Sequence, residues 1–133
     1  MMNEPVSTIM TTRLFTVKPD DKLSVVKDLL HNHRIHHIPV VDGTQLVGII
    51  TTGDLFWLGK SFAEYDQVSV SEVMTRKIAT LEPNDKVGSV AEVFLEHRFH
   101  CIPVCEQGNL LGLVTMHDIL KYEFNKEYPN EKH

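Results

Sequence analysis

Basic residues are in the minority. The 133-residue chain carries 13 Lys and Arg against 18 Asp and Glu, a net charge of -5. That deficit removes the electrostatic reason to expect nucleic acid or an anionic membrane as a partner. Long apolar runs are missing too: none approaches the roughly 20 residues that cross a bilayer. No basic segment followed by an apolar stretch opens the chain, so no secretory signal is expected. Cysteine is limited to Cys101 and Cys105. Four apart in an expected strand, they stand about 13 Å apart at ~3.3 Å per residue, beyond disulfide reach. Both read as small buried side chains in a reducing cytoplasm. Catalytic signatures are absent as well: there is no Gly-x-Ser-x-Gly elbow, Walker loop, His-Glu-x-x-His or Gly-x-Gly-x-x-Gly. An enzyme is therefore not expected.

What the chain does have is an internal copy. Residues 6–55 match 70–119 without a gap, and 19 of the 50 positions are identical. The identities include Met10/Met74, Thr11/Thr75, Pro19/Pro83, Asp21/Asp85, His33/His97, Arg34/Arg98, His36/His100 and Pro39/Pro103, all at an offset of 64. A fixed offset over that length is the mark of duplication. The stretch Gly48-Ile49-Ile50-Thr51-Thr52-Gly53-Asp54 returns as Gly112-Leu113-Val114-Thr115-Met116-His117-Asp118.

Within a copy, Val6–Met10 reads as a helical turn and Leu14–Val17 as a short extended piece ended by Pro19. The stretch Asp20-Asp21-Lys22-Leu23-Ser24 is expected to cap a helix running to about Arg34, with Leu23, Val26, Leu29 and Leu30 at helical spacing. Ile38–Val41 is an expected strand. Pro39 lacks an N–H, so its side should be an edge or an irregular start. Asp42-Gly43 turns the chain into a second strand, Leu46–Ile50. Thr52-Gly53-Asp54 then opens a short helix. The second copy repeats the order, with an extended piece at Ala79–Leu81 and a last helix from Met116 to about Asn125. The expected division is 1–60, a polar linker 61–69, 70–125, and a frayed tail 126–133. One copy of about 60 residues buries little surface alone. The expected fold is therefore α+β: tandem β-α-β-β-α repeats, three strands each, sharing one core about a pseudo-two-fold axis.

These residues resemble the CBS domain pair, also called a Bateman module, from about Pro5 to Tyr122. The resemblance rests on the Met-ended turn, the Ile-Pro-Val strand and the Gly-x-x-Thr-x-x-Asp turn, each present twice. It implies a regulatory module binding AMP, ADP, ATP or another adenosyl ligand, such as adenosylmethionine or a dinucleotide, in the two clefts between repeats. By the same resemblance Asp54 and Asp118 hold the ribose hydroxyls, and Thr51 and Thr115 reach ribose or phosphate. Leu14 with Ile38 and Pro39, and Ile78 with Ile102 and Pro103, sandwich the base. His36 and His100 take the phosphate-facing place where the family often has Arg. It further implies a homodimer and a separate effector protein, with no cofactor.

The chemistry suits those roles. A carboxylate accepts two charge-assisted bonds from a vicinal diol, and a helix N-terminus favours phosphate. Gly48 and Gly112 would allow close approach of backbone. The copies differ: Cys101 stands where the first has His37, and His117 where the first has Gly53. His117 adds a possible phosphate contact, so the Asp118 site is expected to be the better one. Plainer readings stand beside these. Asp54 and Asp118 are also good helix caps, and Thr51 and Thr115 ordinary strand-end hydroxyls. His33, His36 and His37 form a candidate metal set, although His33 at a helix end also suits the dipole. Phe56, Trp57, Tyr122 and Phe124 read as core or dimer interface.

Overall fold

The computed structural model describes residues 2–131. The chain divides into two units, and the division does not follow the sequence copies. One unit is 14–78; the other joins 1–13 to 79–133. The first therefore combines the body of copy one with the Met-ended turn of copy two, and the second does the reverse. Backbone bonds explain the exchange. Val70 N–H donates to Asp21 O at 2.8 Å and Ser71 N–H to Pro19 O at 2.9 Å. At the equivalent positions Val6 donates to Asp85 O at 2.7 Å and Ser7 to Pro83 O at 3.1 Å.

In the 14–78 unit, α1 (Leu23–His33) is followed by β1 (His37–Asp42), β2 (Gln45–Thr51) and α2 (Thr52–Leu58). β1 and β2 form an antiparallel hairpin, with Ile38 opposite Ile50 and a bulge at Val40/Val41. Apolar side chains at strand and helix spacing close the core: Leu23, Val26, Ile38, Val40 and Ile50 are fully buried. Val70 and Met74 of the exchanged turn join them. The other unit follows the same plan with α3 (Val87–His97), β3 (Cys101–Glu106), β4 (Asn109–Thr115) and α4 (Met116–Glu127). Its core cluster contains Val6, Val90, Phe94, Ile102, Val104 and Val114. Each unit thus carries its own buried cluster.

Four further expectations need correction. The third strand does not form: Val17 makes one bridge to Val40, and Leu81 one to Val104. These bridges use the Pro39 and Pro103 carbonyls, on the side where proline has no N–H to offer, as the edge reading of Pro39 expected. The helices are not capped by their acids. Lys22 and Lys86 occupy the N-cap positions without a side-chain bond, while Asp21 and Asp85 accept from Lys18 N–H and Glu82 N–H. The free N–H groups of the first helical turn find backbone carbonyls instead. Leu23 donates to Val68 O at 3.0 Å, and Val87 to Glu4 O at 3.0 Å. Third, the expected polar linker is built into the fold. Phe62–Gln67 is a 3-10 helix, and Tyr65 is 3% exposed. Last, α4 runs on to Glu127, so the expected frayed tail starts inside a helix; Lys132 and His133 lie outside the described residues.

The glycines of the repeated turn have a clear task. A Cβ on Gly48 would sit 2.5 Å from Met74 Sδ, and one on Gly112 would sit 2.8 Å from both Met10 Sδ and Thr11 O. The close approach that these glycines permit is made by the Met-Thr segment of the chain itself. Among the described residues no helix is long and apolar enough to cross a membrane.

Candidate functional site

The end of β2 and the start of α2 fix the first Thr–Asp pair. Thr51 is the N-cap: its Oγ1 accepts from Asp54 N–H at 3.2 Å, and the Asp54 carboxylate accepts from Thr51 N–H at 2.8 Å. This reciprocal box needs a residue with a short oxygen at the cap and an acid three residues on. Thr115 and Asp118 build the same box at 3.2 and 2.9 Å. The sequence reading of the acids as the caps and the threonines as strand-end hydroxyls is corrected here: the threonines are the N-caps, and each acid completes the box from the third helical position. The box leaves lone pairs over on the Asp54 carboxylate, whose second oxygen takes no partner among the described residues.

The two pairs are unequal. Asp118 is 7% exposed, whereas Asp54 is half-buried. Asp118 also accepts from Thr115 Oγ1 at 3.2 Å and from Thr11 Oγ1, whose oxygen lies 3.1 and 3.3 Å from its two carboxylate oxygens. Thr75 is the repeat counterpart of Thr11, and among the described residues no hydrogen bond joins it to Asp54. Opposite the cap threonines on the neighbouring strand stand His37 and Cys101. Burial, reinforced by the Asp118 charge, pushes the Cys101 thiol up to about 12, so it stays neutral beside the carboxylate.

The remaining expected residues divide between the two units. Leu14, His36, Ile38, Pro39, Thr51 and Asp54 share the 14–78 unit. His36 is exposed, and its carbonyl accepts from Thr52 N–H at 3.1 Å, which ties it to the start of α2. His100, Ile102, Pro103, Thr115, His117 and Asp118 share the other unit, with both histidines exposed. Ile78 is the last residue of the 14–78 unit. Ile38 and Ile102 are 0% and 1% exposed, so their side chains serve the core and leave backbone as the surface a ligand could touch. Thr11 is the residue missed in the sequence. Its identity with Thr75 was the available signal, but nothing local links it to an acid 107 positions away.

Asp118 stands in a cleft of about 460 Å³ lined also by Thr8, Met10, Lys121, Tyr122 and Asn125. One rim is fixed by a polar cluster. Tyr122 Oη donates to Glu4, and Lys126 Nζ bonds Tyr122 Oη at 2.9 Å and Glu4 at 3.2 Å. The Tyr122 hydroxyl is the main reason the Glu4 carboxyl is held down to about 2. Burial, with the Glu4 bond, raises the Tyr122 hydroxyl. A depressed acid stabilises above its unfolded pKa, near 4.5, and that contribution disappears as pH falls toward about 2. The raised tyrosine contributes below pH 10 and stops contributing as pH rises through its folded value. Tyr122→Phe should therefore melt below the parent at pH 7, with the gap clearly narrower at pH 2.5. Thermal melts at both pH values check this, and an unchanged gap would remove the Glu4 bond as its cause. The metal alternative finds no set of ligands: among the described residues no three His, Cys, Asp or Glu are grouped to hold an ion. His33 instead stacks on Phe15, with ring centroids 3.9 Å apart.

Comparison with known proteins agrees with this architecture. The CBS domain family model matches residues 6–58 and again 70–125. The chain belongs to the CBS domain family, a family of regulatory modules, and holds two copies of the domain. It is 28% identical over 122 residues to the CBS domain-containing protein YhcV of Bacillus subtilis, covering 92% of this chain and 87% of that one. It is 32% identical over 111 residues to the inosine-5'-monophosphate dehydrogenase of Korarchaeum cryptofilum, where it covers 83% of this chain but spans 22% of the enzyme. Among solved structures it is similar to CBSX2 in complex with AMP, with a TM-score of 0.83 and 25% identity, covering 93% of this chain and 98% of that one. The α+β fold expected from the duplication is the fold of these proteins.

Proposed function

We propose that this protein is a cytoplasmic, non-enzymatic sensor of adenine nucleotides, which holds the ribose of its ligand at the Thr51–Asp54 and Thr115–Asp118 turns. The observation that carries this reading is the Thr–Asp capping box that recurs at the strand-to-helix turn of each unit. At Asp54 the carboxylate keeps an oxygen free for a ribose hydroxyl after its capping bond is made. The AMP complex of the similar CBSX2 supports the ligand class. His36, His100 and His117, all exposed, are the imidazole N–H donors offered to phosphate. Ligand binding would act by favouring one conformation, which a separate effector protein reads.

A homodimer belongs to the same proposal. Phe56, Trp57 and Leu120 are 77%, 84% and 67% exposed, and large exposed apolar side chains on helices mark an interaction surface. Those side chains also support a second reading, a dimerisation scaffold with vestigial sites. Thermal shift with AMP, ADP, ATP, adenosylmethionine, NAD and Zn²⁺, paired with sedimentation, decides between the two. A ligand at ~100 times its dissociation constant adds about 2.7 kcal/mol. A rise in melting temperature with a nucleotide supports the sensor. Silence across all nucleotides at millimolar concentration, in a protein that sediments as a dimer, leaves the scaffold.

A further inference from the structure

We propose that Thr11 is a latch on Asp118, so that the Asp54 site fills first and the Asp118 site opens only when a ligand displaces the Thr11 hydroxyl. This rests on the nucleotide reading and reverses the ranking expected from the sequence.

The asymmetry lies in the hydrogen bonds. A ribose diol reaching Asp54 meets a half-buried carboxylate with an oxygen to spare. The same diol reaching Asp118 meets a carboxylate that is 7% exposed and already accepts from Thr115 N–H, Thr115 Oγ1 and Thr11 Oγ1. Two of those donors are part of the turn itself, and the backbone one cannot leave without unwinding α4. Thr11 can leave. Its side chain comes from an exposed position on a segment held independently, by Thr11 N–H to Leu113 O at 2.8 Å and Leu113 N–H to Thr11 O at 2.9 Å. Rotation of one side chain would release the carboxylate without disturbing that bridge. Binding at Asp118 thus exchanges an existing bond for a new one, while binding at Asp54 adds one. Thr11 acts through Asp118 and is a positioning residue.

Calorimetric titration with AMP tests the latch. The variant Asp54→Ala isolates the Asp118 site. In that background Thr11→Val, which keeps the branched shape but loses the donor, should tighten AMP about tenfold, the equivalent of one competing bond to a charged group. Thr11→Ser keeps the hydroxyl and should bind as the Asp54→Ala protein does. Equal affinity for the Val and Ser forms overturns the latch. So does an absence of binding in every Asp54→Ala form when the parent binds. In the otherwise unaltered chain, Asp54→Ala should weaken AMP more than Asp118→Ala, and the opposite order also overturns the proposal. Adding Asp118→Ala to the Asp54→Ala/Thr11→Val protein should abolish binding. If AMP still binds there, the nucleotide reading of the Asp118 turn fails, whatever Thr11 does.

Discussion

The double variant Asp54→Ala/Asp118→Ala is expected to lose at least ~100-fold in AMP affinity, since each hydrogen bond to a charged group is worth about 1.5–3 kcal/mol and a ribose diol makes two. Alanine also removes the acid half of each capping box, although the cap threonines stay. Asp54 and Asp118 each accept the N–H of their own cap threonine, and losing a cap outright costs about 0.5–2 kcal/mol. Affinity and stability would therefore fall together, and the alanines alone cannot separate a ligand role from a capping role. Asp54→Asn/Asp118→Asn does separate them. An amide oxygen can still accept the threonine N–H, so most of the capping survives. The charge is gone, and with it about half the strength of a bond to ribose. The expected pattern is a melting temperature near the parent and AMP affinity reduced more than tenfold. Melting by circular dichroism and calorimetry with AMP read the two quantities. Unchanged AMP binding in the asparagine form would reduce both acids to their part in the capping boxes.

The parts of this fold that could be read in the sequence are those set by short-range pattern. Period 3.6 in Leu23, Val26 and Leu30, period 2 in Ile38 and Val40, and the turn at Asp42-Gly43 place the elements within a few residues of their observed bounds. The repeated Thr-x-x-Asp spacing was legible because its residues are three apart, but the sequence alone points to the acids as the caps that the threonines provide. What stayed hidden depends on distant chain. Nothing in Val6–Met10 says that it docks on Pro83–Asp85 rather than on Pro19–Asp21, because the two targets are nearly identical and both are offered by the duplication. The caps of α1 and α3 were misassigned for a related reason. Local acids looked sufficient, but carbonyls from Val68 and Glu4 reached the N–H groups first. Tyr65 sat in a stretch polar enough to read as linker; its burial follows from a 3-10 turn that packs one aromatic ring inward. Thr11 is the instructive case for the site, since its bond to Asp118 exists only once the N-terminal segment has joined the 79–133 half of its unit.

The glycine of the repeated turn connects stability to that latch, and Gly112→Ala is the substitution that reveals it. The added methyl would lie 2.8 Å from Thr11 O and 2.8 Å from Met10 Sδ. Sulfur at the end of a methionine can turn aside. A backbone oxygen in a bridge to Leu113 cannot, because Thr11 and Leu113 exchange both of their bonds at 2.8 and 2.9 Å. Forcing a carbon into such a space costs about 1–3 kcal/mol, or a fall of roughly 3–10 °C in melting temperature for a chain of this size. Gly48→Ala is the internal control. There the tightest contacts are Met74 Sδ and Cγ, side-chain atoms that can shift, and the backbone oxygen of Thr75 stands further off at 3.1 Å, so less of the strain falls on the backbone. Gly112→Ala should therefore be clearly the more destabilising of the two. It should also move Thr11 away from Asp118, so that AMP raises the melting temperature of Gly112→Ala by more than it raises that of Gly48→Ala. Equal melting temperatures for the two variants would mean that the bridge yields as easily as methionine does. A larger AMP shift in Gly48→Ala would separate the glycine from the Asp118 site.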